Sequence, residues 1–254
     1  MNSACTGESV GGMVMLKTVL ITGGTRGVGA ALVEQYLMRG FNVIATGSCQ
    51  ATVDKARNET PEADWLVCNL SSDLSIDLLC QHLVNKPLHF VIHNAGVQQL
   101  RNYFDKQPTQ ISSHDETMIN LIAPIILTEK LSDNVLSNKG TWVYVTSGLA
   151  IAPKQSSPVY CANKAGLRAF TKSFRAQAKM GKHPIHVCEA ILPLVDTDMV
   201  RGRGKDKITA QEAARQIIAG VDRAKPEIQV GKTKALMSLR KWFPNFAESL
   251  MLRT

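Results

Sequence analysis

The sequence predicts an α/β fold: one doubly wound parallel sheet with helices on both faces. Three observations predict it. Short β-branched runs alternate with longer, helix-patterned runs along the whole chain. The stretches between strand-like runs are long enough to hold helices, which parallel pairing requires and hairpins do not. A glycine-rich turn stands where the first strand-like run gives way to the first helix.

Residues 17–22 (KTVLIT) read as a buried strand, short, apolar and ended by glycine. Residues 27–39 read as a helix, with Val28, Leu32, Tyr36 and the Ala30–Ala31 pair on its apolar side and Gly40 at its end. Residues 42–46 (NVIAT) give a second strand and 63–69 a third. A short helix is expected over 75–83 and a fourth strand over 90–93 (FVIH), stopped by Asn94-Ala95-Gly96. Residues 112–134 read as one long helix, kinked near Pro124 because proline has no N–H to give. A fifth strand over 140–146, a long helix over 159–180 and a sixth strand over 185–191 follow. The pattern closes with a helix over 209–222, a short strand over 227–230 and a helix or helix pair over 235–252, broken at Pro244. Neither a repeat nor a linker divides the chain, so residues 15–254 are expected to form one domain behind a flexible lead-in, residues 1–14. The true start is expected at Met1, Met13 or Met15.

The composition narrows the function. Hydrophobic residues make up 44% and charged residues 20%, ordinary values for a large packed core. The net charge of +8 favours anionic partners, but its cations are dispersed, which argues against nucleic-acid binding as the primary role. The six cysteines (Cys5, Cys49, Cys68, Cys80, Cys161 and Cys188) form no C-x-x-C pair, and their irregular spacing fits reduced thiols in a cytoplasmic protein. Cys68 and Cys188 sit in apolar runs and are expected in the core. No apolar run is long enough to span a bilayer, and the N-terminus has no secretory signal. His183 and His186 lack a thiol or carboxylate at a familiar ligand spacing, so no metal site is expected.

The first turn reads Thr22-Gly23-Gly24-Thr25-Arg26-Gly27-Val28-Gly29. A strand that turns sharply into a helix needs one glycine for its backbone angle, another so that a pyrophosphate can approach, and a third so that helix and strand pack closely. The helix N-terminus then offers free N–H groups to an anion. No Gly-Lys-Ser/Thr closes the turn, so it is not a phosphate-transfer loop. Further on, Ser147 ends the fifth strand, and Tyr160 and Lys164 stand four apart on a helix, where they share a face. A free tyrosine titrates near 10, too high for acid-base work at neutral pH, and a neighbouring ammonium favours the phenolate.

With the glycine turn, Asn94-Ala95-Gly96, Asn120, Ser147 and Tyr160-Cys161-Ala162-Asn163-Lys164 in this order, the chain resembles the short-chain dehydrogenase/reductase family over roughly residues 17–230. The resemblance implies a Rossmann-type, nucleotide-binding domain and an oxidoreductase that moves a hydride between nicotinamide and a small-molecule carbonyl or alcohol. It implies a catalytic tetrad: Tyr160 the general acid/base, Lys164 its helper and the holder of the nicotinamide ribose, Ser147 a hydrogen-bond donor to the substrate oxygen, and Asn120 a helix-interrupting residue that holds a water linked to the lysine. It places Gly23, Thr25, Arg26, Gly27, Val28 and Gly29 under the pyrophosphate. Asn69, Leu70, Asn94, Ala95 and Gly96 fall along the adenosine, and Val195 and Thr197 near the nicotinamide. A homodimer or homotetramer is the implied assembly.

The chain also departs from the pattern. Leu192-Pro193 replaces Pro-Gly after the sixth strand, which changes the backbone at the floor of the substrate pocket. Asn69 stands for an aspartate at the adenine, and His93 replaces an asparagine and reads as a structural residue. At the end of the second strand, Ala45-Thr46-Gly47-Ser48-Cys49 carries no acid for a ribose 2′-hydroxyl. Arg26 is placed to meet a 2′-phosphate, with Thr25, Thr46 and Ser48 assisting, so NADP(H) is expected over NAD(H). Residues 201–207 (RGRGKDK) occupy the place of a substrate loop, one that closes on an anionic substrate or stays solvated. The tail mixes Lys234, Arg240, Lys241 and Arg253 with Leu236, Met237, Leu239, Trp242, Phe243 and Phe246, and is expected to pack on the parent domain or a sister subunit rather than on a membrane. The alternative function, a non-catalytic NAD(P)-binding sensor or scaffold, sits poorly with a retained Tyr160 and Lys164.

Overall fold

The computed structural model of the chain describes residues 9–10, 13–14, 16–105, 108–197 and 207–253. The described part of the N-terminal lead-in is a two-residue ladder, β1 (Ser9–Val10) antiparallel to β2 (Met13–Val14). Cys5 and residues 201–206 of the expected substrate loop lie outside the described residues.

The main sheet is built from β3 (Thr18–Ile21), β4 (Asn42–Gly47), β5 (Asp64–Val67), β6 (Phe90–His93), β7 (Thr141–Ser147), β8 (His186–Leu192) and β9 (Glu227–Gln229). Every pair is parallel, in the order β5-β4-β3-β6-β7-β8-β9. The order reverses between β3 and β6, and that switch point opens a crevice beyond the strands' C-terminal ends.

The central strands are mostly apolar because both faces are covered. Val19 and Ile21 join the cluster under α1 (Gly27–Met38), α2 (Gln50–Glu59) and α8 (Ala210–Asp222). Leu20, Val91, Trp142 and Tyr144 join the opposite cluster, under α3 (Asp73–Leu83), α5 (Ala123–Lys130) and α7 (Pro158–Met180). Side-chain caps fix several helix starts: Ser72 accepts from the Ser75 amide, Ser112 from Asp115, and Thr209 from Glu212.

Two differences from the sequence reading have clear causes. Helix α2 was not expected, since Val53 and Ala56 are its only buried residues and its polar sequence carries no apolar stripe. The long helix expected over 112–134 is segmented. It begins as α4 (Ser113–Thr117), widens into a π turn over Met118–Ile122, resumes as α5 and breaks again before α6 (Ser132–Ser137). The Ala123 amide reaches back to the Met118 carbonyl, so the break precedes Pro124, which then sits harmlessly in the first turn of α5. The tail forms α9 (Thr233–Trp242) and α10 (Pro244–Leu252), split at Pro244 as expected. No helix among the described residues is long and apolar enough to cross a membrane.

Candidate functional site

The crevice at the switch point is a cleft of about 750 Å³. All the expected cofactor residues line it, from Gly23, Thr25, Arg26, Gly27, Val28 and Gly29 through Thr46, Ser48, Asn69, Leu70, Asn94, Ala95 and Gly96 to Val195 and Thr197. Ser147, Tyr160 and Lys164 line it too, whereas Asn120 stands behind the wall.

The glycine turn has the stereochemistry that its sequence demands. Gly23 and Gly27 adopt φ of +67° and +56°. A Cβ on Gly29 would stand 2.0 Å from the Gly23 carbonyl oxygen, so helix α1 can approach β3 only with glycine there. A Cβ on Gly27 would come within 3.0 Å of the Thr197 methyl, which sets Thr197 directly across from the turn. Arg26 is the exposed N-cap residue of α1, with extended backbone.

Several polar residues that line the cleft also brace the backbone around it. The Thr46 hydroxyl accepts from the Gly23 amide at 3.3 Å and the Thr46 carbonyl from the Gly24 amide at 2.8 Å. Thr52, which the sequence reading passed over, lines the cleft with Ser48. Asn94 Nδ2 donates to the carbonyls of Thr22 and Gly23, both at 3.1 Å, lashing the end of β6 to the end of β3. The Asn69 carbonyl group accepts from the Ser71 amide and hydroxyl at 3.1 and 2.9 Å, forming a local turn.

The catalytic end is set by β7 and α7. Ser147 is the last residue of β7, and its hydroxyl accepts from the Leu149 amide at 3.1 Å. Tyr160 and Lys164 lie one turn apart in α7, with the Lys164 Nζ 5.8 Å from the centre of the Tyr160 ring. Lys164 donates to the Val145 carbonyl at 2.9 Å, and burial lowers its pKa to about 8. Asn120 interrupts its helix, at the π turn, and its side chain pairs with the backbone of Val97. Its Nδ2 donates to the Val97 carbonyl at 2.7 Å and its Oδ1 accepts from the Val97 amide at 3.1 Å. Asn120 thereby holds the segment after Gly96 against α7, where a Cβ on Gly96 would crowd both Asn120 Oδ1 and Lys164 Nζ.

His93 is a buried residue of β6, as its structural reading required. It stacks on Tyr144 and Trp142, and burial, with Lys164 nearby, lowers its pKa to about 3. Pro193 packs near Gly231, where a Cβ would lie 3.3 Å from its ring. The outer part of the cleft adds Gln98, Lys154, Lys232, Leu236 and Met251, none of which was singled out as a site residue. Leu236 and Met251 come from the tail, so α9 and α10 do pack on the parent domain and wall the cleft.

Both the sequence and the fold have counterparts among known proteins. The family described as short chain dehydrogenase matches residues 17–208, more than half of the chain. The uncharacterized oxidoreductase DltE of Bacillus subtilis is 28% identical over 86% of this chain and 90% of that protein. The L-xylulose reductase of Caenorhabditis elegans is 28% identical over 75% of this chain and 76% of that protein. A crystal structure of a short chain dehydrogenase from Burkholderia cenocepacia, in complex with NADP, superposes with a TM-score of 0.82 at 21% identity, covering 93% of this chain and 98% of that one.

Proposed function

The chain belongs to the short chain dehydrogenase family of oxidoreductases, and from that premise we propose that it is an NADP(H)-dependent carbonyl reductase or alcohol dehydrogenase. The observation that carries the reading is the convergence of Ser147, Tyr160 and Lys164 on the cleft that the glycine turn also lines. The turn fits a dinucleotide: Gly29 lets α1 pack close on β3, Gly27 leaves no side chain between the turn and Thr197, and a helix N-terminus offers its first amides to a pyrophosphate. Thr197 closes the opposite side. The nicotinamide, when bound, gives or takes the hydride.

The residues of the chain handle the proton and the developing charge. In the reducing direction the Tyr160 hydroxyl donates its proton to the substrate oxygen. Ser147 donates a hydrogen bond to the same oxygen and steadies it as charge grows. The Lys164 ammonium, beside the phenol, favours the phenolate left behind and would hold the ribose. Asn120 acts through the Val97 backbone and keeps the wall of the cleft in register with α7. Low exposure of Tyr160 and Lys164, at 9% and 3%, shields the exchange from bulk water.

NADP(H) preference is supported by Arg26, exposed at the start of α1, and by the hydroxyls of Ser48 and Thr52 with no acid among them. It is also the cofactor in the Burkholderia cenocepacia complex. The protein is read as a cytoplasmic homo-oligomer, and its five described cysteines are unpaired, in keeping with a reducing compartment. The test is a fluorescence titration with NADPH and NADH. Arg26→Ala should weaken NADPH by roughly tenfold or more and leave NADH within about twofold; equal losses would refute the 2′-phosphate assignment. Tyr160→Phe should keep NADPH binding and lose at least about a hundredfold of carbonyl-dependent NADPH oxidation. Retained turnover would refute the proton-donor role.

A further inference from the structure

Helices α9 and α10 have two unlike faces. The inner one belongs to the domain: Thr233 and Ala247 are buried, the Thr233 hydroxyl donates to the Val230 carbonyl at 2.8 Å, and Leu236 and Met251 wall the cleft. Arg240 and Glu248 tie the two helices together through an ion pair at 2.5 Å. Among the described residues the outer face has no such partners. Trp242 is 71% exposed, Phe243 62% and Phe246 61%, and Leu250 and Leu252 stand out beside them. Residues 243, 246 and 250 fall at helical spacing, one stripe away from the inward pair 247 and 251. A packed monomer gains nothing from leaving so many large apolar side chains in water.

The charge around this face is one-sided. Residues 232–253 hold five cations and a single carboxylate, and that carboxylate, Glu248, is the one engaged by Arg240. Lys234 and Lys241 are exposed, and the Lys241 Nζ lies 5.2 Å from the centre of the Trp242 ring. We propose that this face docks on an anionic lipid bilayer, with Trp242, Phe243, Phe246 and Leu250 in the interfacial layer and the lysines on lipid phosphates. Aromatic rings with long cationic side chains beside them are what the boundary between headgroups and acyl chains accommodates, and the lysine stems reach back to the headgroups. A second copy of the chain is the poorer occupant. Across a two-fold axis the patch would meet itself, setting its excess of cations against an identical excess. A homo-oligomer then uses another surface. The proposal does not depend on the oxidoreductase reading, since none of the outward residues lines the cleft.

The experiment is co-sedimentation of the full chain with vesicles of phosphatidylcholine alone and with about one-third phosphatidylglycerol. Binding to the anionic vesicles should exceed binding to neutral ones by roughly tenfold at low salt and fall as salt rises. Trp242→Ser with Phe246→Ser, and separately Lys234→Gln with Lys241→Gln, should each cut the bound fraction severalfold while leaving NADPH affinity and the melting temperature unchanged. Trp65 and Trp142 are buried, at 5% and 1% exposure, so a blue shift of emission on adding anionic vesicles reports Trp242 and should vanish in the first variant. Sedimentation independent of vesicles, or vesicle binding that neither pair of substitutions reduces, would overturn the proposal. So would a dimer, seen by light scattering, that the Trp242/Phe246 variant dissociates in the absence of lipid.

Discussion

Gly29→Ala is the sharpest perturbation of the proposed cofactor cradle. The new methyl would stand 2.0 Å from the Gly23 carbonyl oxygen and 2.6 Å from Asn94 Nδ2. Neither neighbour can give way cheaply. The oxygen is backbone held by the pairing of Gly23 and Gly24 with Thr46, and Asn94 Nδ2 is bonded to the carbonyls of both Thr22 and Gly23. Overpacking costs about 1–3 kcal/mol, and displacing two hydrogen bonds adds about 1 kcal/mol each, so the loss should be about 3–5 kcal/mol. For a chain of this size that corresponds to a melting temperature lower by roughly 10 °C. The first turn of α1 would move with the methyl, so NADPH affinity should fall by more than about tenfold, because anion binding there relies on amides held in place. Gly40→Ala is the control. Its Cβ would meet nothing within 4 Å, although its φ of +74° strains any other residue. It should cost about 1–2 kcal/mol and leave NADPH affinity unchanged. Thermal unfolding and nucleotide titration of both variants decide the matter. If Gly29→Ala melts and binds like the Gly40→Ala control, helix α1 does not sit against β3 as described and the cradle argument fails.

The remaining predictions concern buried charge. The Lys164 amine, lowered to about 8 in the folded chain by burial, returns to about 10.4 on unfolding. Between those values the unfolded chain holds a proton that the folded chain has lost, so this group's contribution to stability rises with pH and is flat below 8. Relative to Lys164→Met, the wild type should therefore gain about 1–2 kcal/mol between pH 8 and 9.5 in thermal unfolding; parallel pH profiles would show that the amine is not desolvated. Glu189 is fully buried in β8, accepts from the Thr146 hydroxyl at 2.6 Å and pairs with Arg168, whose other nitrogen meets Glu227 at 3.2 Å. Glu189→Gln keeps the shape and removes the charge, and should cost about 3 kcal/mol, measured by denaturant unfolding. The double replacement Glu189→Leu with Arg168→Met should recover most of that loss; a single variant as stable as wild type would show that the pair contributes nothing.

What was legible in the sequence follows from how local its cause is. The strand Phe90–His93 was placed to the residue because Phe90, Val91 and Ile92 form the apolar run of a strand buried on both faces and Asn94-Ala95-Gly96 stops it. The glycine turn was legible because its stereochemistry is local: a strand turning this sharply into a helix takes positive φ at Gly23 and Gly27, which glycine reaches without a Cβ clash. Helix α2 was not, because nothing in its own sequence separates two buried residues from eight that face water or its edge. The π turn was not either, since apolar periodicity runs through Met118–Ile122 and the break is fixed by a partner 23 residues away, where Asn120 grips both backbone groups of Val97. The same distance effect explains the polar residues around the cleft. Thr46 and Asn94 line the cleft and Asn120 stands behind its wall, and the bonds that occupy them come from Gly23, Thr22 and Val97 on other elements. A motif says which residues gather at the end of a sheet. Whether a given amide or hydroxyl turns to the ligand or to the backbone behind it is decided by which carbonyls and N–H groups the tertiary fold leaves unsatisfied. That is also why the tail could be read as amphipathic but not as a wall of the cleft: Leu236 reaches its place beside Gly148, and Met251 lines the same cleft, only once the sheet is assembled.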